Sequence, residues 1–231
     1  MPLTVLDPKN PEQDFPLASK ALKEPDGLLA IGGCLSITRL LNAYRQGIFP
    51  WYNPGEPILW WSPNPRLVLF PDELIVSRSL RKTLRKNCFS VTFDQAFSEV
   101  IAACAKSRKE STGTWITSDI NHAYNQLHRL GFAHSAEAWL NGDLVGGLYG
   151  VALGRVFFGE SMFYSRTDAS KVAFVRLVEQ LNVWGYQLID CQVHTSHLES
   201  FGAEEINRSY FVKLLNQFCD TPANKSAWRS I

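Results

Sequence analysis

The chain has 231 residues, of which 45% are hydrophobic, 12% aromatic and 19% charged, enough apolar surface for a buried core and too much for a disordered or fibrous protein. Its 23 Lys and Arg against 22 Asp and Glu give a net charge of +1, so the total charge offers no bulk attraction to a polyanion, and any nucleic-acid contact has to come from a local patch. Five scattered cysteines without a C-x-x-C pair, an N-terminus (MPLTVLDPKN) lacking a basic region and cleavage motif, and no apolar run of membrane-spanning length argue against secretion or a membrane partner and make a reducing cytoplasm the expectation.

In chain order, residues 1–35 are dense in turn formers, including Pro8, Pro11, Pro16, Asp26-Gly27 and Gly32-Gly33, and are expected to wrap a surface. Ser36 as N-cap, Leu40, Leu41 and Tyr44 at helical spacing, and Gly47 as a stop predict the first helix. Residues 49–66, FPWYNPGEPILWWSPNPR, hold five prolines and three tryptophans; this reads as rigid loop plus short strand, followed by a strand over 67–70. A basic helix is predicted at 78–86, a strand near 88–93, a helix near 94–106 and another over 118–130, opened by Thr117-Ser118-Asp119 and stopped by Gly131. Asn141-Gly142 joins strand-like runs at 133–140 and 143–152, and Gly154 turns the chain into a third strand, residues 155–158. Asp168 or Ser170 opens a helix carrying Val172, Ala173, Leu177, Leu181 and Trp184 at helical spacing. A strand over 186–193, a helix over 207–218 and a polar tail complete the chain. Meander, helix, strand, helix is the order of an acetyltransferase-like α+β core with a mixed sheet. The expected division is a small N-terminal domain at 1–65, whose soft boundary extends to about 90, and a catalytic domain at 66–231.

Three polar residues stand out within apolar surroundings. Asp190 and Gln192 are two apart on the predicted strand LIDCQV, so both side chains are expected on one face, where a carboxylate and an amide could hold an amine and relay its proton; the alternative is a strand-end Asp satisfying backbone N–H groups. Glu160 lies in FFGESMF, directly after the expected third strand, and is either a receptor for a cationic group or one partner of a structural salt bridge with Arg166 or Lys171. Arg78, Arg81, Lys82 and Arg85 recur at i, i+3, i+4 and i+7. Four like charges on one helical face repel, which favours a phosphate-binding stripe over a merely solvated one, and Lys106, Arg108 and Lys109 add three more cations. Cys191, His194 and His197 do not share a strand face and are read as turn residues, not metal ligands.

Ten blocks, in order, resemble the leucyl/phenylalanyl-tRNA–protein transferases: DGLLAIGG at 26–33, GIFPWY at 47–52, ILWWSPNPR at 58–66, GTWI at 113–116, AHSAEAW at 133–139, LVGGLYG at 144–150, FFGESMF at 157–163, ASK at 169–171, LIDCQ at 188–192 and HLESFGA at 197–203. The resemblance implies transfer of leucine or phenylalanine from leucyl-tRNA or phenylalanyl-tRNA to the α-amino group of proteins beginning with Arg or Lys, marking them for degradation. The ester is already activated, so no metal, ATP or coenzyme A is implied. It implies that Gln192 contacts the amine, that Asp190 draws on its proton through Gln192, and that Glu160 lies at the acceptor's basic end. Trp51 and Trp115 match positions around the aminoacyl-adenosine, and Met162 and Leu177 are expected to complete an apolar pocket for side chains unbranched at Cβ. Two departures are Cys34, where the family usually has an aspartate (GGDLS), and Phe201, where a leucine is common. Two other readings stand beside this one. A coenzyme A-dependent N-acetyltransferase would need a glycine-rich pyrophosphate loop that this chain lacks. A non-catalytic RNA- or degron-binding module would not need Asp190 together with Gln192.

Overall fold

The structure, a computed structural model, describes residues 3–107 and 114–229 together with the backbone of 108–111, so the side chains of Arg108 and Lys109, and Gly113 of the GTWI block, lie outside the described residues. A four-stranded sheet comes first: β1 (Thr4–Leu6) lies parallel to β2 (Leu28–Gly32), which pairs antiparallel with β4 (Leu59–Trp61), and β4 in turn with β3 (Phe49–Pro50). The first 35 residues are therefore more than a surface wrap. The apolar run LLAIG, hidden among turn formers, is an inner strand that buries Leu29 and Ala30. The Pro/Trp-rich stretch closes this sheet around Trp60, which is fully buried, donates from Nε1 to Gly32 O at 2.8 Å and meets the edge of Phe15 at 4.9 Å. Between β2 and β3 runs α1 (Ile37–Arg45), capped as expected by Ser36 Oγ, which accepts from Arg39 N at 3.3 Å.

The second sheet has seven strands: β5 (Arg66–Leu69), β6 (Ser90–Phe93), β7 (Ala133–Leu140), β8 (Asp143–Leu153), β9 (Val156–Tyr164), β10 (Leu188–Gln192) and β11 (Glu204–Ile206), in the order β11-β5-β10-β9-β8-β7-β6. Every pairing is antiparallel except β9 with β10, which are joined by the crossover helix α5 (Ala169–Val183). The remaining helices are α2 (Arg78–Lys86), α3 (Phe97–Ser111), α4 (Ser118–Arg129), the short α6 (Ser196–Glu199) and α7 (Arg208–Phe218). Together they make the α+β architecture with a mixed sheet expected from the element order.

The β7–β8 turn matches its sequence signal, with positive φ at both Asn141 (53°) and Gly142 (88°). Gly146 is required by packing: a Cβ there would sit 2.7 Å from the Cβ of Ala169, so α5 could not settle on the sheet. One face of the large sheet packs on α3, α4, α7, α1 and the small sheet, which form one continuous core; the opposite face packs on α5 and the underside of α2.

Four boundaries differ from expectation. β9 runs to Tyr164, so Glu160 lies inside the strand; Gly159 and Glu160 read as a strand end, but pairing with β8 carries the strand through them. α3 begins at Phe97, because Asp94 adopts φ 58° and turns the chain, accepting hydrogen bonds from Ser135 N (2.9 Å) and His134 Nδ1 (2.7 Å). β11, the edge partner of β5, carries the polar sequence EEI and has no apolar pattern to betray it. The polar tail is docked: Trp228 stacks on His134 at 4.0 Å, meets Trp184 at 4.8 Å and donates from Nε1 to the Tyr186 hydroxyl at 2.8 Å.

Candidate active site

Strands β9 and β10 run side by side until Phe158 faces Asp190, and beyond that pair they part. The register of β10 against β5 slips between Asp190 and Gln192, and Gln192 takes a left-handed φ of 64°, a conformation that a residue with a Cβ adopts at some energetic cost and that is concentrated at functional sites. The slip undoes the simple two-residue alternation expected for this strand. Instead of lying side by side on one face, the two side chains go to opposite neighbours. Asp190 turns to β5, where Arg66 grips it with two bonds, Nε to Oδ1 at 2.8 Å and Nη2 to Oδ2 at 2.7 Å. Gln192 turns to β9, and its Nε2 donates to Glu160 Oε1 at 2.9 Å. The two remain linked through the main chain, because Gln192 N donates to Asp190 Oδ1 at 2.9 Å. Asp190 is therefore neither a free carboxylate nor only a backbone cap. It is half of a fully buried ion pair, and it also holds the left-handed turn that aims Gln192.

Arg66 owes its burial to three segments. Its guanidinium carbon sits 4.8 Å from the ring centre of Phe49 on β3 and 4.8 Å from that of Phe211 on α7, while β10 supplies the anion. Stacked between two rings and bidentate to a carboxylate, it is the arrangement for which arginine is better suited than lysine.

Glu160 is 8% exposed, and neither Arg166 nor Lys171 is its partner: Lys171 Nζ reaches Asp168 Oδ1 at 3.2 Å instead. Oε1 accepts from the Tyr44 hydroxyl at 2.7 Å as well as from Gln192, and Oε2 accepts from the Tyr124 hydroxyl at 3.1 Å. The two hydroxyls also contact one another. Burial, reinforced by the nearby charge of Asp190, pushes the Glu160 carboxyl up to about 8 against the lowering effect of the three hydrogen bonds. The same burial pushes the Tyr44 and Tyr124 phenols well above their ordinary range, so both stay protonated donors. Glu160 thus sits where a small change in its surroundings, such as an arriving cation, decides its ionisation.

These groups open onto a pocket of about 300 Å³ whose walls include Trp51, Trp115, Met162 and Leu177, with Glu160 and Gln192 on its polar side. Phe174, Val178 and Ile189 add to its apolar lining. Leu177 is only 1% exposed, so it is both core and pocket wall. Trp51 is half-exposed at the rim; its carbonyl accepts from Trp61 Nε1 at 2.7 Å, and the two rings meet at 5.8 Å, which fixes an otherwise free indole. All seven residues singled out in the sequence for catalysis or substrate therefore surround one cavity.

The basic stripe does not. Arg78, Arg81, Lys82 and Arg85 are exposed on α2, line a separate shallow groove with Val76, and among the described residues form no ion pair. Among the described residues, no group of three His, Cys, Asp or Glu is placed to hold a metal ion, and no helix is long and apolar enough to cross a membrane. The sequence reading missed Tyr44, Tyr124 and Arg66. Tyr44 was counted only as an apolar position of a helix, and Tyr124 carried no signal at all. Arg66 did carry one: an arginine opening the apolar run LVLF enters a buried strand and needs a buried anion.

Comparison with known proteins places this site in a family. The sequence profile described as leucyl/phenylalanyl-tRNA protein transferase matches residues 68–216, and the profile of that family's N-terminal domain matches residues 33–64. A relative from Methylococcus capsulatus is 58% identical over 227 residues, 98% of this chain and 97% of the relative. One from Nitrosomonas europaea is 60% identical over 214 residues, 93% of this chain and 91% of the relative. Both are named leucyl/phenylalanyl-tRNA–protein transferase. Among solved structures, FemX overlays with a TM-score of 0.49 at 10% identity, covering 77% of this chain and 70% of that one; L-PGS from Bacillus licheniformis overlays at 0.42 and 10%, covering 65% and 50%. Those overlays are too loose to bear on function. The class that the sequence matches define is an acyltransferase that moves an aminoacyl group from tRNA to protein. The chain belongs to the leucyl/phenylalanyl-tRNA–protein transferase family.

Proposed function

We propose that the protein transfers leucine or phenylalanine from its tRNA ester to the α-amino group of cytoplasmic proteins beginning with Arg or Lys. The observation that carries this reading is the opening of one apolar pocket directly beside Gln192 and the buried Glu160. The aminoacyl side chain enters the pocket, where Met162 and Leu177 leave room for a chain unbranched at Cβ, and Trp51 and Trp115 flank the terminal adenosine. One of the two amide N–H groups of Gln192 is given to Glu160, which orients the amide, and its carbonyl Oε1 is the group that can accept from the incoming amine. The amine nitrogen attacks the ester carbonyl, the bond to the tRNA 3′ oxygen breaks, and the proton shed by nitrogen is available to that leaving oxygen. An α-amine with an ordinary pKa of about 7.7–8.0 needs little help to lose a proton, so orientation supplies most of the effect. Asp190 acts by holding the turn at Gln192, whose backbone N–H donates to its carboxylate. Glu160, with Tyr44 and Tyr124, meets the cationic acceptor.

We also propose a domain boundary near residue 65, supported by the small sheet ending at Trp61 and the large one beginning at Arg66, although the two share a core. The test is an assay with labelled leucyl-, phenylalanyl- and isoleucyl-tRNA and peptides beginning with Arg, Lys or Ala. Product is expected from the first two tRNAs with the first two peptides only. Equal transfer of isoleucine would overturn the pocket assignment, and equal use of the Ala peptide would overturn the role given to Glu160.

The stripe on α2 is assigned to tRNA phosphates, supported by its exposure and lack of acidic partners. Replacing Arg78, Arg81, Lys82 and Arg85 together with glutamine should weaken binding of every tRNA alike and flatten the dependence of log K on log salt by about 3 units, as four lost phosphate contacts require. Loss of a single tRNA's binding, with an unchanged salt slope, would contradict phosphate contact.

A further inference from the structure

Beyond α7 the chain is polar in sequence, yet its main chain is tied to the large sheet and the end of α5. Arg155 N donates to Phe218 O at 3.0 Å and Arg155 Nε to Pro222 O at 3.1 Å, while Asn224 N donates to Trp184 O at 3.0 Å. These bonds bring Ala223, Ala227 and Trp228 onto the core between the sheet and α5. The Trp228 indole then lies flat on His134, with the two planes 11° apart. That platform is fixed, because both ring nitrogens of His134 have partners, Asp94 Oδ2 at 2.7 Å and Gly131 O at 3.1 Å. The bond from Trp228 Nε1 to the Tyr186 hydroxyl sets the rotation of the indole upon it.

The same indole also meets Phe157 of β9, with ring centres 5.9 Å apart and planes 26° apart. Phe157 is 1% exposed and is one wall of the apolar pocket beside Gln192, whereas Trp228 lies behind that wall. The far end of the Phe157 ring fills space that exists only because residue 150 is glycine: a Cβ there would sit 2.6 Å from Phe157 Cζ. The ring is therefore tight against β8, and the tail supplies an aromatic surface at its back. In an interior packed this closely, a change of volume behind a wall is felt in front of it.

We propose that Trp228 is a positioning residue for the aminoacyl pocket, holding Phe157 forward and so setting how large a side chain the pocket takes. This rests on reading the pocket as the seat of the leucyl or phenylalanyl side chain. Trp228 makes no contact with substrate and acts through Phe157. Without the indole the Phe157 ring can recede, the pocket grows at this wall, and the larger phenylalanyl side chain gains contact that the leucyl side chain loses.

The test is a competition between leucyl-tRNA and phenylalanyl-tRNA, at equal concentration, for one peptide beginning with Arg, with both products counted by mass spectrometry. Their ratio is the ratio of the two kcat/KM values and does not depend on how much of the enzyme is folded, so a variant that is merely less stable keeps the wild-type ratio. Trp228→Ala should raise the phenylalanyl share relative to the leucyl share by about tenfold, the scale on which a methylene's worth of space acts in an apolar pocket. Trp228→Phe, which returns a ring to His134 and Phe157, should bring the ratio back to within about twofold of wild type. Phe157→Leu should shift the ratio by itself, and adding Trp228→Ala to it should change little further, because the side chain through which the indole acts has gone. A wild-type ratio in Trp228→Ala, or an equal effect of that substitution with and without Phe157, would overturn the proposal. A wild-type protein that makes neither product would instead overturn the reading of the pocket.

Discussion

Asp190→Ala is expected to lose about 3–5 kcal/mol of folding stability along with nearly all transfer activity, because it leaves a buried guanidinium without its anion. Arg66 and Asp190 are 1% and 0% exposed and joined by two short bonds, and Arg66 Nη1 already has no partner among the described residues. Asp190→Asn keeps the volume and one acceptor, so its stability loss should be smaller, about 1–3 kcal/mol, while its transfer rate should still collapse, because the charge and the bond to Gln192 N are both weakened. Urea melts followed by circular dichroism, together with single-turnover transfer at saturating aminoacyl-tRNA, separate the two effects. An alanine variant that melts at the wild-type urea concentration would show that Arg66 does not depend on this carboxylate. An asparagine variant with full transfer would remove Asp190 from the mechanism.

The second large effect is a pH dependence that Glu160→Gln should erase. The Glu160 carboxyl lies near 4.5 in an unfolded chain and at about 8 in the folded one. The folded state therefore holds its proton more tightly, and the associated stability is fully present below about 4.5 and disappears as pH climbs through 8, at about 1.4 kcal/mol per unit of difference. Wild-type urea midpoints should fall between pH 5 and 9, and those of Glu160→Gln should stay nearly level, because the amide preserves the shape and can still accept from Tyr44 or Tyr124. Acceptor binding should move the opposite way. A cation at the pocket drives the proton off Glu160, so inhibition by an N-acetylated Arg peptide, whose guanidinium does not titrate in this range, should tighten from pH 6.5 to 8.5 in the wild type. In the Gln variant it should be weak at every pH. Parallel pH profiles for the two proteins would exclude Glu160 as the titrating group.

What could be read before the fold was known depended on whether the determining interactions were local. α1 and α4 carried their caps and stops in sequence, with Ser36 and Thr117 accepting from the backbone three residues on, and Asn141-Gly142 named its own turn, whereas the Ser77 cap of α2 emerged only from the structure. β9 was cut short because Gly159 and Glu160 look like a strand end until β8 is laid beside them. The same limit applies at the pocket. Asp190, Gln192 and Glu160 stood out as polar residues in apolar runs, but their partners did not, since Tyr44 and Tyr124 meet Glu160 across 116 and 36 residues of chain and Arg66 meets Asp190 across 124. The left-handed turn at Gln192 has no local signature at all, because nothing in LIDCQV distinguishes it from a regular strand.

Arg66 also bears on how this protein can change over generations. Its guanidinium is touched at once by Phe49 from the small sheet, Phe211 from the last helix and Asp190 from strand β10, so three distant positions answer to one side chain. Substitutions among them cannot add independently, and a replacement tolerated at one is conditional on what the others hold. Drift in these four positions is therefore confined to joint moves, while the exposed cations of α2, which share no such partner, are free to be exchanged one at a time.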